Sequence, residues 1–191
     1  MRKVVVSEYV TLDGVMQDPG GAEKFEHGGW SMSYWDEGIG KVKFDELFAS
    51  DALLLGRVTY QGFAKAWPTM TGTGEFGERM NSIRKLVVST TLEKLEWNNS
   101  HLIKGNVVEE ISRLKQEPGQ DILVGGSATL AQTLMQHGLV DVYRLLVHPV
   151  VLGSGKRLFQ NVDKVSLRLV ETRAFPSGVV LLEYQPANQG A

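Results

Sequence analysis

Residues 121–138, DILVGGSATLAQTLMQHG, contain a short apolar run, a glycine pair and an amphipathic segment in direct succession. The run Asp121–Val124 has the length and composition of a buried strand. Beyond Gly125-Gly126-Ser127, apolar residues recur at helical spacing as far as Gly138, a residue type suited to the position just past a helix C-terminus. These apolar residues are Leu130, Ala131, Leu134 and Met135. A strand that turns into a helix in this way is typical of parallel α/β sheets.

Ala52–Leu55 and Lys85–Val88 are two more short apolar runs that end in small or hydroxyl residues. The first leads through Gly56-Arg57-Val58-Thr59 into a predicted amphipathic helix, and the second ends at Ser89-Thr90. The remaining predicted elements are strands at Lys3–Val10, His101–Ile103 and Val140–His148, helices at Gly40–Ser50 and after Asn106, surface loops at 69–78 and 149–161, and a hairpin of Val165–Thr172 and Val179–Tyr184.

The order of these elements predicts the fold class. Strands that alternate with helices and are followed by a hairpin predict an α/β fold with three layers and a mostly parallel central sheet, with the C-terminal hairpin as its antiparallel edge. The sequence has no internal repeat and no stretch with the composition of a linker. We therefore predict a single domain over residues 1–187 and a short C-terminal tail over residues 188–191.

The composition excludes several classes of protein. The 191 residues include 20 Lys and Arg against 22 Asp and Glu, so the net charge of −2 lacks the positive balance of a nucleic-acid-binding protein. Cysteine is absent, which excludes disulfides, thiolate nucleophiles and Cys-ligated metals. Apolar runs are far shorter than the ~20 residues of a membrane span. We expect a cytoplasmic protein that binds a small molecule and neither nucleic acid nor membranes.

The sequence also lacks the motifs of the common hydrolases. There is no His-Glu-x-x-His, the four histidines do not pair at i, i+4 spacing, and no Gly-x-Ser-x-Gly occurs. Gly153-Ser154-Gly155-Lys156-Arg157 lacks the first glycine and the hydroxyl residue of a Walker A loop. We predict no metal site. A chain without thiol, metal or activated nucleophile needs a redox cofactor for difficult chemistry.

The strand ends at Gly56, Ser89 and Gly125 are predicted to meet along one edge of the sheet, because the carboxyl ends of neighbouring parallel strands form a common crevice. Glycine permits close approach of the backbone to a phosphate, a following helix N-terminus offers free N–H groups, and Arg57 is a bidentate phosphate donor. This pattern favours a ligand with several phosphates, such as a dinucleotide. The alternative is that each glycine only relieves a tight turn between strand and helix.

Four segments carry a family resemblance: Ser7–Val15, Leu54–Tyr60, Leu123–Ala128 and Val147–Phe159. In this order and spacing they resemble the dihydrofolate reductase-like superfamily. The chain is most similar to the reductase domain at the C-terminus of bifunctional riboflavin-biosynthesis proteins, as a stand-alone member. The resemblance implies a dihydrofolate reductase-like fold, NADPH as the hydride donor and a homodimer.

The resemblance also implies roles for the residues at the three strand ends. It implies that Arg57 lies near the 2′-phosphate of the cofactor. The implied phosphate ligands at the first strand end are Gly56, Arg57 and Thr59. The resemblance implies that Ser89 and Thr90 line the adenosine side of the cofactor. The residues implied to hold the pyrophosphate are Gly125, Gly126 and Ser127.

Candidates for catalysis and for substrate binding come from other segments. Asp36 and Glu37 stand just before the first predicted helix, where dihydrofolate reductases use an acid in proton delivery; alternatively, the two acids only complement the helix dipole. Trp35 either stacks on a planar substrate or packs in an aromatic cluster. Lys156 either holds a substrate phosphate or is solvated, and Asp13 either touches substrate or caps the adjacent turn.

Together these observations predict an NADPH-dependent oxidoreductase. We expect it to transfer hydride to a C=N or C=O bond of a small planar substrate, similar to a pterin or a pyrimidine. Two alternatives stay open at this point. The first is the specific reduction of 5-amino-6-(5-phosphoribosylamino)uracil in riboflavin biosynthesis, and the second is a catalytically inactive nucleotide-binding module.

Overall fold

The computed structural model describes residues 1–187. The predicted tail, residues 188–191, lies outside the described residues, so the division into domain and tail stays a prediction. The strands are β1 (Val4–Thr11), β2 (Ser50–Gly56), β3 (Arg84–Val88), β4 (Ser100–Ile103), β5 (Asp121–Val124), β6 (Val142–His148), β7 (Leu167–Ala174) and β8 (Val180–Pro186). The helices are α1 (Glu37–Phe48), α2 (Arg57–Ala66), α3 (Gly74–Ser82), α4 (Val107–Gln116) and α5 (Ala128–Gln136).

In the described part of the chain, the eight strands form one sheet in the order β4-β3-β2-β5-β1-β6-β8-β7. All neighbours from β4 to β6 are parallel, whereas β8 is antiparallel to both β6 and β7. The predicted mostly parallel sheet with an antiparallel C-terminal edge is therefore confirmed. Among these residues, no helix is both long enough and apolar enough to cross a membrane.

Helices cover both faces of the sheet and give the predicted three layers. Along β1, Val4 and Val6 pack against the apolar residues of α4 and α5. The intervening Val5 lies in a second cluster with apolar residues of α1, α2 and α3. Successive side chains of a strand point to opposite faces, so a β-branched run buried on both faces belongs in the centre of such a sheet.

Two predicted boundaries are corrected by the structure. The predicted surface loop at 69–78 is wrong in its second half, because α3 begins at Gly74. Glu75 suits the first turn of a helix, and the buried Met80 anchors α3 in the core, which outweighs the low helix propensity of the glycines. The first helix begins at Glu37 and not at Gly40.

The unequal lengths of β1 and β5 open a crevice in the middle of the sheet. The pairing of β1 with β5 ends at Val6 and Val124, where β5 itself ends. Beyond this point β1 continues as far as Thr11, alongside β6 only. The residues that follow Val6 on β1, Ser7 and Glu8, therefore stand beside the turn after β5 and not beside another strand.

Candidate active site

A cavity of about 930 Å³ lies at the carboxyl ends of β1, β2 and β5, between α1, α2 and α5. Gly56 and the turn after β5 line one part of it, and Glu8, Trp35 and Lys43 line another. Ligand pockets typically measure ~300–1,000 Å³, so this cavity has room for an extended ligand.

The turns that follow β2 and β5 interlock at the wall of this cavity. The hydroxyl of Ser127 accepts the backbone N–H of Gly56 at 2.8 Å and lies 2.8 Å from the hydroxyl of Thr59. A Cβ atom on Gly56 would lie 2.7 Å from Ser127 Oγ, and one on Gly126 would lie 2.7 Å from Thr59 Oγ1. The glycines therefore permit a close approach between the two turns, and four of the predicted phosphate ligands come together here.

The helices that start at these turns lack side-chain caps. The side chains of Asp36 and Asn106 cap α1 and α4, but neither Gly56 nor Ser127 caps its own helix. Ser127 has φ 65° and ψ 65°, a left-handed conformation that is rare for a residue with a side chain, and it directs its hydroxyl toward Gly56. The first-turn N–H groups of α2 and α5 thus remain available to an anionic ligand.

Gly126 and the adjacent Gly125 provide a matched pair of variants for this turn. Gly126 has φ +63° and no room for a Cβ, whereas a Cβ on Gly125 meets nothing within 4 Å. We expect Gly126→Ala to lower the free energy of unfolding by about 1–3 kcal/mol, because it adds strain and a clash with Thr59. Denaturant unfolding measures the change. Gly125→Ala is the control, and an equal loss in both variants would contradict this account of the turn.

Arg57 lines the cavity, whereas Ser89 and Thr90 do not. Arg57 is exposed at the N-terminus of α2, where its guanidinium donates to Gln61 Oε1 at 3.2 Å, and no carboxylate among residues 1–187 pairs with it. The hydroxyl of the buried Ser89 accepts the N–H groups of Thr91 and Leu92 at 3.2 and 3.1 Å. All three predicted strand ends therefore reach the cavity, the third through Val88 at the end of β3, but Ser89 is held in its own turn and neither Ser89 nor Thr90 lines the cavity.

The predicted acids Asp36 and Glu37 also lie outside the cavity lining. The Asp36 carboxylate accepts the N–H of Gly38 at 2.7 Å as the N-cap of α1, and Glu37 is exposed in the first turn of that helix. The geometry therefore favours the interpretation that these acids stabilise the helix N-terminus over a role in proton delivery.

Asp13 fastens two loops together away from the cavity lining. Its carboxylate accepts the Thr11 hydroxyl at 2.6 Å and the N–H groups of Leu152 and Gly153 at 3.2 and 2.8 Å. The Thr11 hydroxyl is the main cause that lowers the pKa of Asp13 to about 2, and the two N–H groups act in the same direction. The geometry thus favours a structural role for Asp13 over contact with a substrate.

Trp35 and Lys156, two predicted substrate residues, do line the cavity. Trp35 is 63% exposed, and its indole lies beside Gly40 of α1, whose Cβ would approach the ring to 3.0 Å. By contrast, Trp30 and Tyr34 pack edge-on against the buried His148, with ring centroids 5.1 and 6.0 Å away. Trp30 and Tyr34 therefore belong to a packed aromatic cluster, whereas the indole of Trp35 is exposed at the cavity.

Sequence reasoning missed the charged residues on the other side of the cavity. The Glu46 carboxylate is buried in α1, accepts the Ser7 hydroxyl at 2.7 Å, and forms ion pairs with Lys43 and with Arg144, the latter at 3.2 Å. Glu8 and Lys43 both line the cavity. The available signal was the polar pair Ser7-Glu8, which interrupts an otherwise β-branched central strand.

Comparisons with known proteins support the same family. The model of the RibD C-terminal domain family matches residues 2–181. Protein YyaP of Bacillus subtilis (strain 168) is 35% identical over 187 residues, which cover 96% of this chain and 94% of that protein.

Solved structures share the fold. A putative riboflavin biosynthesis protein from Shewanella sp. PV-4 matches with a TM-score of 0.73 and 19% identity, over 98% of this chain and 100% of that chain. Dihydrofolate reductase from Enterococcus faecalis, complexed with NADP(H) and RAB-propyl, matches with a TM-score of 0.63 and 16% identity, over 97% of each chain. The predicted dihydrofolate reductase-like fold is therefore confirmed, and the chain belongs to the RibD C-terminal domain family.

Proposed function

We propose that this protein is an NADPH-dependent reductase that transfers hydride to a C=N or C=O bond of a small planar substrate, similar to a pterin or a pyrimidine. One observation carries the proposal. One part of a single cavity has two helix N-termini without side-chain caps and Arg57, which forms no ion pair within residues 1–187. Another part of the same cavity has the buried carboxyl of Glu8 and the ammonium of Lys43. The NADP(H) bound to the Enterococcus faecalis reductase of the same fold supports this choice of cofactor.

The residues at the two glycine turns fit a phosphorylated dinucleotide. The first-turn N–H groups of α2 and α5 supply donors for a pyrophosphate. Gly125 leaves open space, since a Cβ there would meet nothing within 4 Å. Arg57 supplies a guanidinium for a further phosphate, and the hydroxyls of Thr59 and Ser127 hold the two turns together. When bound, NADPH supplies a hydride from its nicotinamide ring.

The walls of the remaining cavity suit a flat substrate. Met16, Tyr34, Trp35 and Ile39 line it with apolar and aromatic surface, and Glu8 and Lys43 are among the polar groups that can orient a ring. Such walls would shield a bound ring from water on the faces that they cover, and hydride transfer would need the acceptor carbon to be held ~3–3.5 Å from the donor carbon.

Lys156 favours one specific alternative within this proposal. Its exposed ammonium lies at the cavity, where it could bind the ribose phosphate of 5-amino-6-(5-phosphoribosylamino)uracil. Complementation of a bacterial strain that lacks this reductase of riboflavin biosynthesis tests the alternative. Growth without riboflavin, lost again in Lys156→Ala, would favour it over a pterin substrate.

We also propose a cytoplasmic homodimer. The outer edge of β7 ends the described sheet, and its Leu169 and Val170 side chains are 46% and 44% exposed. An edge strand with exposed apolar residues is suited to pairing with a second copy. Light scattering that gives the mass of one chain would contradict the dimer.

Cofactor titration tests the proposed function directly. We expect NADPH to quench the tryptophan fluorescence with a dissociation constant below the millimolar range, because the cavity offers several donors to its phosphates. Oxidation of NADPH is then followed with oxidised pterins and aminopyrimidines as acceptors. Binding without oxidation would favour an inactive nucleotide-binding module, and no binding below millimolar concentration would overturn the cofactor assignment.

A further inference from the structure

Glu8 is a buried acid that lines the cavity, and one of its carboxyl oxygens has no hydrogen-bond partner among residues 1–187. The residue is 6% exposed and lines the cavity. Its Oε2 accepts the backbone N–H of Gly126 at 3.0 Å, so the carboxyl is fixed against the turn proposed to hold the cofactor. Its Oε1 is buried and has no hydrogen-bond partner among residues 1–187. Buried polar atoms are almost always paired, so an unpaired carboxyl oxygen on a residue that lines a cavity calls for a partner, and a ligand or a water molecule in the cavity can supply one.

The charged neighbours of Glu8 do not neutralise it. The ammonium of Lys43 forms its ion pair with Glu46, donates to the Ser7 hydroxyl at 3.1 Å, and lies 5.4 Å from the ring centroid of Tyr9. Burial raises the pKa of Glu8 well above its ordinary value of 4.5; Lys43 and the Gly126 N–H group act against this shift, and Glu46 adds to it.

The β6 side of the cavity does not add a free charge either. Burial lowers the pKa of His148, whose Nδ1 lies 2.8 Å from the carbonyl oxygen of Leu146. Arg144 is held between Glu46 and Glu183 at 3.2 and 2.6 Å. Burial without a counter-charge of its own therefore favours the protonated form of Glu8, whose O–H group can be directed into the cavity.

We propose that Glu8 is the catalytic acid of this protein, and that the substrate presents to it a ring nitrogen or carbonyl oxygen that becomes protonated during reduction. The inference rests on the proposed reductase function and deepens it. It also defines the substrate class as planar heterocycles whose reducible C=N or C=O group accepts a hydrogen bond.

In the proposed reaction NADPH donates the hydride and Glu8 donates the proton. The substrate carbon of a C=N bond gains the hydride from NADPH, which becomes NADP⁺, and the π electron pair moves to the nitrogen. That nitrogen takes the proton of Glu8, so a C–H and an N–H bond form while Glu8 becomes a carboxylate. The Gly126 N–H group and the charge of Lys43 stabilise this carboxylate, and water protonates it again after the product leaves.

The ionisation state of Glu8 can be measured without cofactor or substrate. Glutamates labelled with ¹³C at the side-chain carboxyl carbon are titrated by NMR in the full chain, and the Glu8 resonance is the one lost in Glu8→Gln. We expect Glu8 to remain protonated after the exposed glutamates have ionised. We expect Lys43→Met to shift its titration to still higher pH, because a compensating positive charge is lost. Titration of Glu8 together with the exposed glutamates would overturn the inference.

A turnover experiment tests the catalytic role, with 7,8-dihydropterin as the probe. Glu8→Gln should slow NADPH oxidation by about 10²–10⁴-fold, the usual contribution of a positioned acid, and Glu8→Asp should retain part of the activity. NADPH binding and the thermal midpoint are measured on the same samples, which separates catalysis from folding. Equal rates in wild type and Glu8→Gln, or a comparable loss in Glu37→Gln, would overturn the inference. The NMR titration decides the state of Glu8 even if NADPH binding, and with it the proposed function, fails.

Discussion

Replacement of Arg57 by alanine is expected to weaken NADPH binding by about 10- to 150-fold and to leave NADH binding nearly unchanged. The two cofactors differ only in the 2′-phosphate, and a lost charge-assisted hydrogen bond costs about 1.5–3 kcal/mol, with about 1.4 kcal/mol for each factor of ten. Arg57 is exposed and makes no ion pair among the described residues, so its removal leaves no buried charge behind. Fluorescence titration of both cofactors measures the effect.

Lys65→Ala is the matched control for Arg57. Lys65 lies on the same helix α2 and carries the same charge, but it is not part of the cavity lining. A general change in the electrostatic field would weaken NADPH binding to a similar extent in both variants. That loss of affinity would become smaller as the salt concentration rises. If Arg57→Ala weakens NADPH and NADH equally, Arg57 does not contact the 2′-phosphate.

Most of the fold could be predicted from the sequence because most of its strands and helices have a local signal. Apolar runs that end in glycine marked β2 and β5, and the helical spacing after Gly125-Gly126-Ser127 marked α5. The error at 69–78 has a physical reason: glycines and threonines at 71–74 have low helix propensity, whereas the stability of α3 comes from the burial of Met80 in the core. The available signal was the helical spacing of Phe76, Met80 and Ile83, all three of which pack in or against that core.

The site was predicted less completely, for a similar reason. The two glycine turns were recognised because glycine and hydroxyl residues follow strands directly in the sequence. Glu8 and Lys43 line one cavity because of how α1 packs beside β1, which no local pattern encodes. Asp36 was predicted to be catalytic because it stands just before α1, but its carboxylate accepts the N–H of Gly38 as the helix N-cap. A polar residue in the middle of a buried β-branched strand, as at Glu8, is the stronger indicator of a site.

Loss of the buried Glu46 side chain should destabilise the fold strongly. Its side chain is 1% exposed and pairs with Lys43 and Arg144, whose side chains are 24% and 22% exposed. Removal of one partner of a buried ion pair costs about 3–5 kcal/mol, since a charge is left buried without its partner. For Glu46→Ala we expect about 3 kcal/mol, the lower end of this range, because Arg144 retains Glu183 at 2.6 Å. Denaturant unfolding at pH 7 measures the loss.

The adjacent residue on α1 supplies the control for Glu46. Asp45 pairs with Lys41 at 2.7 Å, but these side chains are 58% and 70% exposed, so Asp45→Ala should cost only about 0.3–0.5 kcal/mol. The two variants remove the same charge from neighbouring positions of one helix, so the difference between them reports the burial of the Glu46 cluster. Equal losses would mean that the ion pairs of Glu46 are as well solvated as those of Asp45. In that case Lys43 would not be fixed by its pairing with Glu46, and the account of the charges around Glu8 would lose its basis.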